Sequence, residues 1–157
     1  MAKGNYIARV DLGPFGFQGL VEQVWLKPIG VDTYQVSCIP FRVYGMSLFD
    51  EVKLTSDGIY VKEVVRLSGH RTLRLLLTSP VDLSSKKKIL SLIKENNFLS
   101  EWSGDRHVVI DIPPGVDANL LLGAAGQIVR SGFAYWEWGD AQPFESNRND
   151  FDPKKTI

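Results

Sequence analysis

The sequence offers few side chains that could form a metal or catalytic centre. It contains two histidines, His70 and His107, and a single cysteine, Cys38. A zinc site needs three or four His, Cys or carboxylate ligands that converge on one point. Two histidines far apart in the chain and one cysteine do not supply such a set, so we predict no metal site.

Two stretches are rich in glycine, residues 13–19 and residues 120–129. Neither is followed by the Gly-Lys-Ser/Thr sequence with which a phosphate-binding loop ends. The second stretch lies inside a predicted helix, where small residues allow close packing against a sheet. Phosphate binding is therefore not expected, and we predict no cofactor.

The sharpest polar cluster is "SGHR", residues 68–71. A histidine beside a serine can act as the base for a nucleophile. On an extended chain, however, such neighbours do not usually place a hydroxyl oxygen against an imidazole nitrogen, and the G-x-S-x-G nucleophile elbow is absent. We therefore expect a structural corner, where Gly69 adopts a special backbone conformation and His70 bonds a backbone carbonyl. No catalytic residue is predicted.

Acidic and aromatic side chains cluster in the second half of the chain. Glu101 and Asp105 lie around a predicted hairpin, and Tyr135 and Glu137 lie in "YWEW", residues 135–138. On a strand, Tyr135 and Glu137 share one face while the two tryptophans share the other. A solvated sheet face and core packing are the commoner roles, yet Tyr and Trp are enriched among interface anchors. These four residues, Tyr135, Glu137, Glu101 and Asp105, are the predicted partner-binding residues.

The composition is that of a globular protein from a reducing compartment. The chain is 44% hydrophobic and 23% charged, and 18 basic residues balance 18 acidic ones. This balance argues against general nucleic-acid binding, which usually leaves a basic surface. One cysteine cannot form an internal disulfide, and neither a signal peptide nor a long apolar run is present. We expect a cytoplasmic protein that does not enter the membrane.

Alternating hydrophobic residues and turn signals predict that the first half is all-β. The dipeptide Asp57-Gly58 is a strong hairpin signal. Strands are predicted at 6–12, 20–29, 33–39, 50–55 and 59–68. Several short strands at this spacing predict a small β-barrel-like sheet for residues 1–70.

The second half mixes helices with strands, so the predicted fold class is α+β. Ser84 or Ser85 is predicted to cap a helix over 86–96, and Asp117 a second helix that ends near Arg130. Strands are predicted at 72–78, 98–102, 107–112 and 133–139. The β-α-β-β-α-β order over residues 71–139 predicts a ferredoxin-like sandwich. Residues 140–157 show no hydrophobic period and are predicted to be an extended or disordered tail.

Residues 21–52 and 61–77 resemble a bacterial family known as domain of unknown function 4265. The stretch "IPFRVYGMSLFDEV" and the later "SGHRTLR" follow the family's order and spacing. Phe49 stands where the family usually has Gly, and Arg71 where it often has Ser. The matching positions are Trp25, Ile39, Pro40, Phe41, Tyr44, Gly45, Ser47, Leu48, Asp50, Val52, Ser68, Gly69, His70, Thr72 and Arg74.

The resemblance implies a structural signature and names no activity. Pro40 would end a strand, Gly45 would permit a bend, and Asp50 would tie the turn through backbone N–H groups. With Tyr44, Gly69 and His70, these three residues form the family motif of this chain.

Three functions remain open at this level. We favour a non-enzymatic cytosolic binding protein, an immunity protein that neutralises a bacterial toxin, because the acidic second half suits a basic protein surface. The first alternative is an enzyme that uses His70 with Asp50 or Arg74, which requires a polar cavity around His70. The second is a nucleic-acid-binding barrel, which requires several arginines on one face, namely Arg42, Arg66, Arg71 and Arg74.

Overall fold

The structure, a computed structural model, describes residues 5–78 and 83–147 of the chain. These residues form nine strands, two α-helices and a short 3-10 turn at Gly13–Phe15. The strands are β1 (Tyr6–Asp11), β2 (Val21–Gly30), β3 (Thr33–Val36), β4 (Glu51–Leu54), β5 (Val61–Arg66), β6 (Arg71–Leu77), β7 (Ser100–Ser103), β8 (His107–Ile112) and β9 (Ala134–Trp138). The helices are α1 (Leu83–Glu95) and α2 (Asn119–Arg130).

The first half forms a five-stranded antiparallel sheet in the order β1-β2-β3-β4-β5. It is not a closed barrel. Its outer strands approach each other only where β5 is about to begin, and there the Arg9 N–H donates to the Ile59 carbonyl at 2.8 Å. Because the two edges meet at one bridge instead of pairing along their length, the sheet does not close into a barrel.

Alternation along the strands places the core of this sheet on one face. Ala8 and Val10 of β1 are buried, while Tyr6, Ile7 and Arg9 are exposed. Burial of the inward side chains is the main stabilising contribution, roughly 25 cal/mol for each Å² of apolar surface. The cluster comprises Ala8, Val10, Leu12, Phe15, Val24, Leu26, Val36, Val43, Met46, Val52 and Val61.

The second half forms a four-stranded antiparallel sheet in the order β7-β8-β6-β9. Leu73, Leu75 and Leu77 of β6 belong to the same buried cluster as residues of both helices, so α1 and α2 cover one face of the sheet. The helices bury the residues that their periodicity predicts: Ile89, Ile93, Leu121, Ala125 and Ile128 are buried, and Leu92 is partly buried.

The opposite face of this sheet, here called the polar face, carries the alternate residues. Register pairs Glu101 with Val109, Val109 with Arg74, and Arg74 with Glu137, so one row crosses all four strands. Further residues of this face are Thr72, Leu76, His107, Asp111 and Tyr135. The segment between β3 and β4 packs onto this face and joins the two sheets.

Several boundaries differ from the sequence-based prediction. Helix α1 begins at Leu83, so Ser84 and Ser85 lie inside its first turn and neither precedes it. Strand β3 ends at Val36, well before Pro40, because the chain turns away toward the second sheet. Asp117 does receive the Asn119 N–H at 2.8 Å, as expected of a residue that satisfies free donors at a helix start.

The C-terminal segment 140–147 contains no helix or strand, yet it packs against the first sheet. The Phe144 ring lies 6.4 Å from the Phe15 ring and joins the cluster of that sheet. Residues 148–157 of the predicted tail lie outside the described residues. Within 5–78 and 83–147, no helix combines the length and apolar character needed to cross a membrane.

Candidate functional site

The segment that carries the family motif joins the two sheets through direct hydrogen bonds. The Tyr44 hydroxyl donates to the Glu137 carboxylate, with oxygen distances of 2.6 and 2.8 Å. The Gly45 N–H donates to the Gly139 carbonyl at 2.8 Å. Burial, and then the hydrogen bond to Glu137, raise the pKa of Tyr44 to about 12. Tyr44 therefore stays protonated and acts as a donor at neutral pH.

Arg74 lies beneath this segment and is almost fully buried, with 4% of its side chain exposed. Its Nη2 donates to the Val43 carbonyl, and its Nη1 lies 3.5 Å from Glu137 Oε1. The guanidinium carbon is 5.0 Å from the centre of the Tyr44 ring. Burial lowers the pKa of Arg74, and Glu137 and Glu22 oppose that shift. Its Nε and Nη1 have no hydrogen-bond acceptor among the described residues.

A cavity of about 350 Å³, here called the motif cavity, opens beside Arg74. Its walls combine aromatic rings with charged side chains. The lining residues are Phe17, Phe41, Arg42, Tyr44, Arg74, Leu76, His107, Tyr135, Trp136 and Glu137.

His107 is one of the titratable groups that line the motif cavity. It is half-buried, and the Phe41 ring meets it edge-on at 5.2 Å. Burial, followed by the charges of Arg42 and Arg74, lowers the pKa of His107. At neutral pH the ring is therefore uncharged and offers one donor and one acceptor.

Glu22 of β2 holds the motif segment from the side of the first sheet. Its carboxylate accepts the Arg42 N–H at 2.8 Å and the Phe41 N–H at 3.1 Å. Burial raises the pKa of Glu22, while these hydrogen bonds act in the opposite direction. The backbone at Phe41 and Arg42 is thus fixed, whereas the Arg42 side chain is left exposed.

His70 contacts a carboxylate and not the backbone carbonyl expected from the sequence. Its Nδ1 lies 2.9 and 3.0 Å from the two carboxylate oxygens of Asp111, which is 1% exposed. Asp111 lies on β8 opposite Thr72, so it faces His70 diagonally across the sheet. Burial raises the pKa of Asp111, and His70 opposes the shift. The corner itself is as predicted, with Gly69 at a φ of +91°.

Asp50 ties the two halves of the family motif together, as its predicted role requires. It accepts the Ser47 N–H at 2.8 Å and the Ser68 N–H at 2.7 Å. The Ser68 hydroxyl donates to the Leu48 carbonyl at 2.7 Å. Burial raises the pKa of Asp50, and the Ser68 and Ser47 donors oppose that shift.

Phe49 occupies the position where the family usually has glycine, and it adopts a glycine-like conformation. Its φ is +69°, in the left-handed region that strains a residue with a side chain. Its ring meets the His70 ring edge-on at 5.0 Å. The side chain thus supplies an aromatic contact that glycine could not make, in exchange for backbone strain.

A second cavity of about 770 Å³, here called the histidine cavity, lies on the other side of the motif segment. Asp50 and His70 line it, together with strand β5 and the C-terminal segment. Arg71 at its edge donates to Asp140 at 2.8 and 3.0 Å and lies over the Trp138 ring at 3.8 Å. A concave region therefore lies beside His70.

The predicted partner-binding residues form two patches. Tyr135 is 69% exposed, whereas Glu137 is engaged by Tyr44 and Arg74. Three strand spacings of about 4.8 Å each separate Glu137 from Glu101, roughly 14 Å. Asp105 lies in the β7–β8 turn, where its carboxylate is 3.9 Å from Arg106.

The four arginines proposed for nucleic-acid binding do not form an open basic face. Arg74 is buried, and Arg71 is paired with Asp140. Arg66 lies on the first sheet and Arg42 on the motif segment. The geometry required by that alternative is therefore absent from these four side chains.

The motif cavity and the His70–Asp111 contact were not predicted. A usable signal for the first was Arg74 itself, a lone charge inside the apolar strand "TLRLLLT". Buried charges are usually paired, so such an arginine points to a polar partner nearby. Among residues 5–78 and 83–147, no group of three His, Cys, Asp or Glu side chains could hold a metal ion.

Comparison with known proteins identifies the family and the fold. A solved structure described as "Novel crystal structure of a hypothetical protein from Neisseria gonorrhoeae" is similar, with a TM-score of 0.65 and 15% sequence identity. The similarity covers 93% of this chain and 99% of that one, and at this identity it concerns the fold alone. No curated protein matches the chain. The family model "Domain of unknown function (DUF4265)" matches residues 22–133, most of the chain. The resemblance seen in the sequence is confirmed, and the chain belongs to the domain of unknown function 4265 family.

Proposed function

We propose that this chain is a non-enzymatic binding protein that takes a protein partner on one end of its polar face. The observation that carries the proposal is a group of exposed large side chains around the motif cavity, here called the docking surface. Phe17, Leu76 and Tyr135 are 39%, 47% and 69% exposed, and all three line that cavity. Aromatic residues around a depression are typical anchors of protein interfaces, where water is excluded from a central pocket.

The partner class that we favour is a bacterial toxin with a basic surface, met in the cytoplasm, which makes this chain an immunity protein. Glu101 on β7 and Asp105 in the β7–β8 turn are both exposed. Carboxylates at the rim of an interface accelerate association with a basic partner more than they tighten the final complex. Glu137 contributes less to such attraction, because Tyr44 and Arg74 already engage its carboxylate.

The test is co-expression of this chain with the toxin candidate encoded by the neighbouring gene, followed by binding kinetics of the purified pair. We expect cells to survive only when this chain is present. Tyr135→Ala should speed dissociation by roughly 30-fold, the equivalent of about 2 kcal/mol for an interface anchor. Glu101→Lys combined with Asp105→Lys should slow association and weaken its dependence on salt.

Val31→Ala provides the matched control, since Val31 is 91% exposed but lies in the β2–β3 turn, away from the docking surface. Its kinetics should equal those of the wild type. Killing that this chain does not prevent, or binding that Tyr135→Ala leaves unchanged in a folded protein, would refute the proposal.

A second candidate function is an enzyme that uses His70. The specific observation in its favour is the buried Asp111 carboxylate on Nδ1 of a histidine that lines the histidine cavity. A carboxylate there fixes the ring so that Nε2 can exchange a proton with a bound molecule. The Ser68 hydroxyl contacts the His70 backbone N–H and not its ring, so it is not placed as a nucleophile.

Diethyl pyrocarbonate tests this candidate, because an unprotonated imidazole nitrogen attacks its carbonyl carbon and releases carbon dioxide and ethanol. The chain has two histidines, so His107 serves as the internal reference. An enzyme site predicts that His70 is modified faster than His107 and that Asp111→Asn slows the reaction. An inert His70 in the folded protein would remove this candidate.

We also infer that residues 71–139 adopt a ferredoxin-like sandwich. The strand order β7-β8-β6-β9, with both helices on one face, supports this assignment. An experimental structure that places α1 and α2 on opposite faces would contradict it.

A further inference from the structure

The C-terminal segment 140–147 forms one wall of the histidine cavity. Strand β5 and His70 line the same cavity. The segment also lies directly against the motif segment, because a Cβ atom on Gly45 would overlap its backbone. Access to the cavity from this side therefore depends on whether the segment stays in place. The residues that it contributes to the wall are Asp140, Gln142, Pro143, Phe144 and Ser146.

Few contacts hold the middle of this segment. Gln142, Pro143, Phe144 and Glu145 make no hydrogen bond or ion pair with residues 5–78 and 83–147. Its apolar anchor is the Phe144 ring, which is partly buried in the cluster of the first sheet beside Phe15. Segments with few buried apolar contacts and few backbone hydrogen bonds open locally at a low cost in free energy. The Phe144 contact is therefore the main attachment that such an opening has to break.

The start of the segment, in contrast, is fixed to the second sheet. The Gly139 N–H donates to the Thr72 carbonyl, and the Gly139 carbonyl accepts the Gly45 N–H, both at 2.8 Å. The next residue, Asp140, accepts two hydrogen bonds from Arg71 at 2.8 and 3.0 Å. A movement that begins after Asp140 can thus withdraw Phe144 while these bonds and the strand pairing of both sheets stay intact.

We propose that the C-terminal segment is a displaceable cover that pivots next to Asp140 and controls access to the histidine cavity. The structure shows the closed position, in which Phe144 packs beside Phe15 and only 16% of the His70 side chain is exposed. In the open position the wall formed by residues 142–146 is withdrawn. A molecule that binds only the open position would shift the equilibrium toward it. This device goes beyond the proposed docking of a protein and does not depend on it.

Diethyl pyrocarbonate measures the opening, because a shielded group reacts in proportion to the population of the open state. His107 lines the motif cavity and serves as the internal reference. Phe144→Ala should raise the ratio of the His70 rate to the His107 rate by about tenfold, the equivalent of about 1.4 kcal/mol for a half-buried ring. Phe144→Leu keeps part of the anchor and should give an intermediate ratio. Mass spectrometry of peptides from the full chain gives both rates.

Val65→Ala is the matched control, since Val65 lines the same cavity from β5 and is exposed. It should leave the ratio unchanged. The proposal would be overturned if Phe144→Ala left the ratio unchanged or if Val65→Ala raised it as much. Equal acceleration of both histidines would also overturn it, because that result indicates unfolding of the whole chain. The experiment needs no protein partner, so its outcome is independent of the docking proposal.

Discussion

The substitution Gly45→Ala tests how tightly the motif segment is fitted between the two sheets. Gly45 has a φ of +71°, and a Cβ atom placed on it would overlap the backbone nitrogen of Phe144. That neighbour is backbone and not the end of a flexible side chain, so it cannot move alone. Relief of the clash requires the C-terminal segment to leave the motif segment.

The expected loss of stability has three contributions. A left-handed alanine costs about 1–2 kcal/mol, offset by about 0.5–1 kcal/mol because alanine restricts the unfolded chain more than glycine does. Partial exposure of the Phe144 ring costs roughly 1–2 kcal/mol more. The bond from the Gly45 N–H to Gly139 is worth about 1 kcal/mol. The total is about 2–4.5 kcal/mol.

Gly104→Ala isolates the first contribution. Gly104 has nearly the same conformation, with a φ of +67°, but nothing lies within 4 Å of the position of an added Cβ. Its substitution should cost only about 1 kcal/mol. For a chain of this length, the midpoint of thermal unfolding should fall by about 3 °C for Gly104→Ala and by about 10 °C for Gly45→Ala.

Urea unfolding followed by tryptophan fluorescence measures both variants, and limited proteolysis reports whether the C-terminal segment has been released. If Gly45→Ala is no less stable than Gly104→Ala, the segment 140–147 does not pack against the motif as described. The reasoning would also fail if Gly45→Ala were strongly destabilised without greater cleavage near Phe144.

Three further outcomes follow from the same contacts. Phe49→Ala should be less stable than Phe49→Gly by about 0.5–1 kcal/mol in urea unfolding, because both lose the ring but only alanine keeps the left-handed strain; equal stabilities would show that the strain is absent. His70→Ala should cost about 1–3 kcal/mol at pH 7, since it leaves the buried Asp111 carboxylate without its partner. Because burial raises the pKa of Asp111 in the folded state, that loss should shrink as the pH falls through the pKa and the carboxyl becomes neutral; a loss that stays constant from pH 7 to pH 4 would contradict it. The hydrogen bonds from Arg71 lower the pKa of Asp140, so this pair should stabilise the fold fully above the ordinary aspartate pKa and lose that contribution as the pH falls through the lower pKa of the folded state. Asp140→Asn should therefore lower stability at pH 7, and a loss that does not shrink in acid would contradict this reasoning.

The strands and helices could be predicted from the sequence because each produces its own local spacing of hydrophobic residues. Strands β1 and β2 and helices α1 and α2 all lie close to their predicted positions. The predicted start of α1 was wrong because serine is common both at a helix N-cap and in the first helical turn. The local sequence does not distinguish these two positions. The open first sheet was not predictable either, since closure depends on whether β1 and β5 meet, which no local pattern encodes.

The candidate site was less predictable, because its contacts join residues that are distant in sequence. Tyr44 and Glu137 are 93 positions apart, and His70 and Asp111 are 41 apart. The sequence could nominate Glu137 as a partner-binding carboxylate from its exposed strand position. It could not reveal that the hydroxyl of a tyrosine from the motif segment donates a hydrogen bond to that carboxylate.

The matching positions of the family motif explain why two separate stretches are needed. Asp50 of the first stretch holds Ser68 of the second, and Tyr44 lies over Arg74. The signature therefore describes the contact between the two sheets before it describes any chemistry. Phe41, Tyr44 and Arg74 differ from the other matched residues in one respect, because they also line the motif cavity. A variant that tests the cavity alone must change the cavity lining and leave the contact between the two sheets intact. The exposed side chain of Arg42 meets that condition, since only its backbone N–H contributes to holding the motif segment in place.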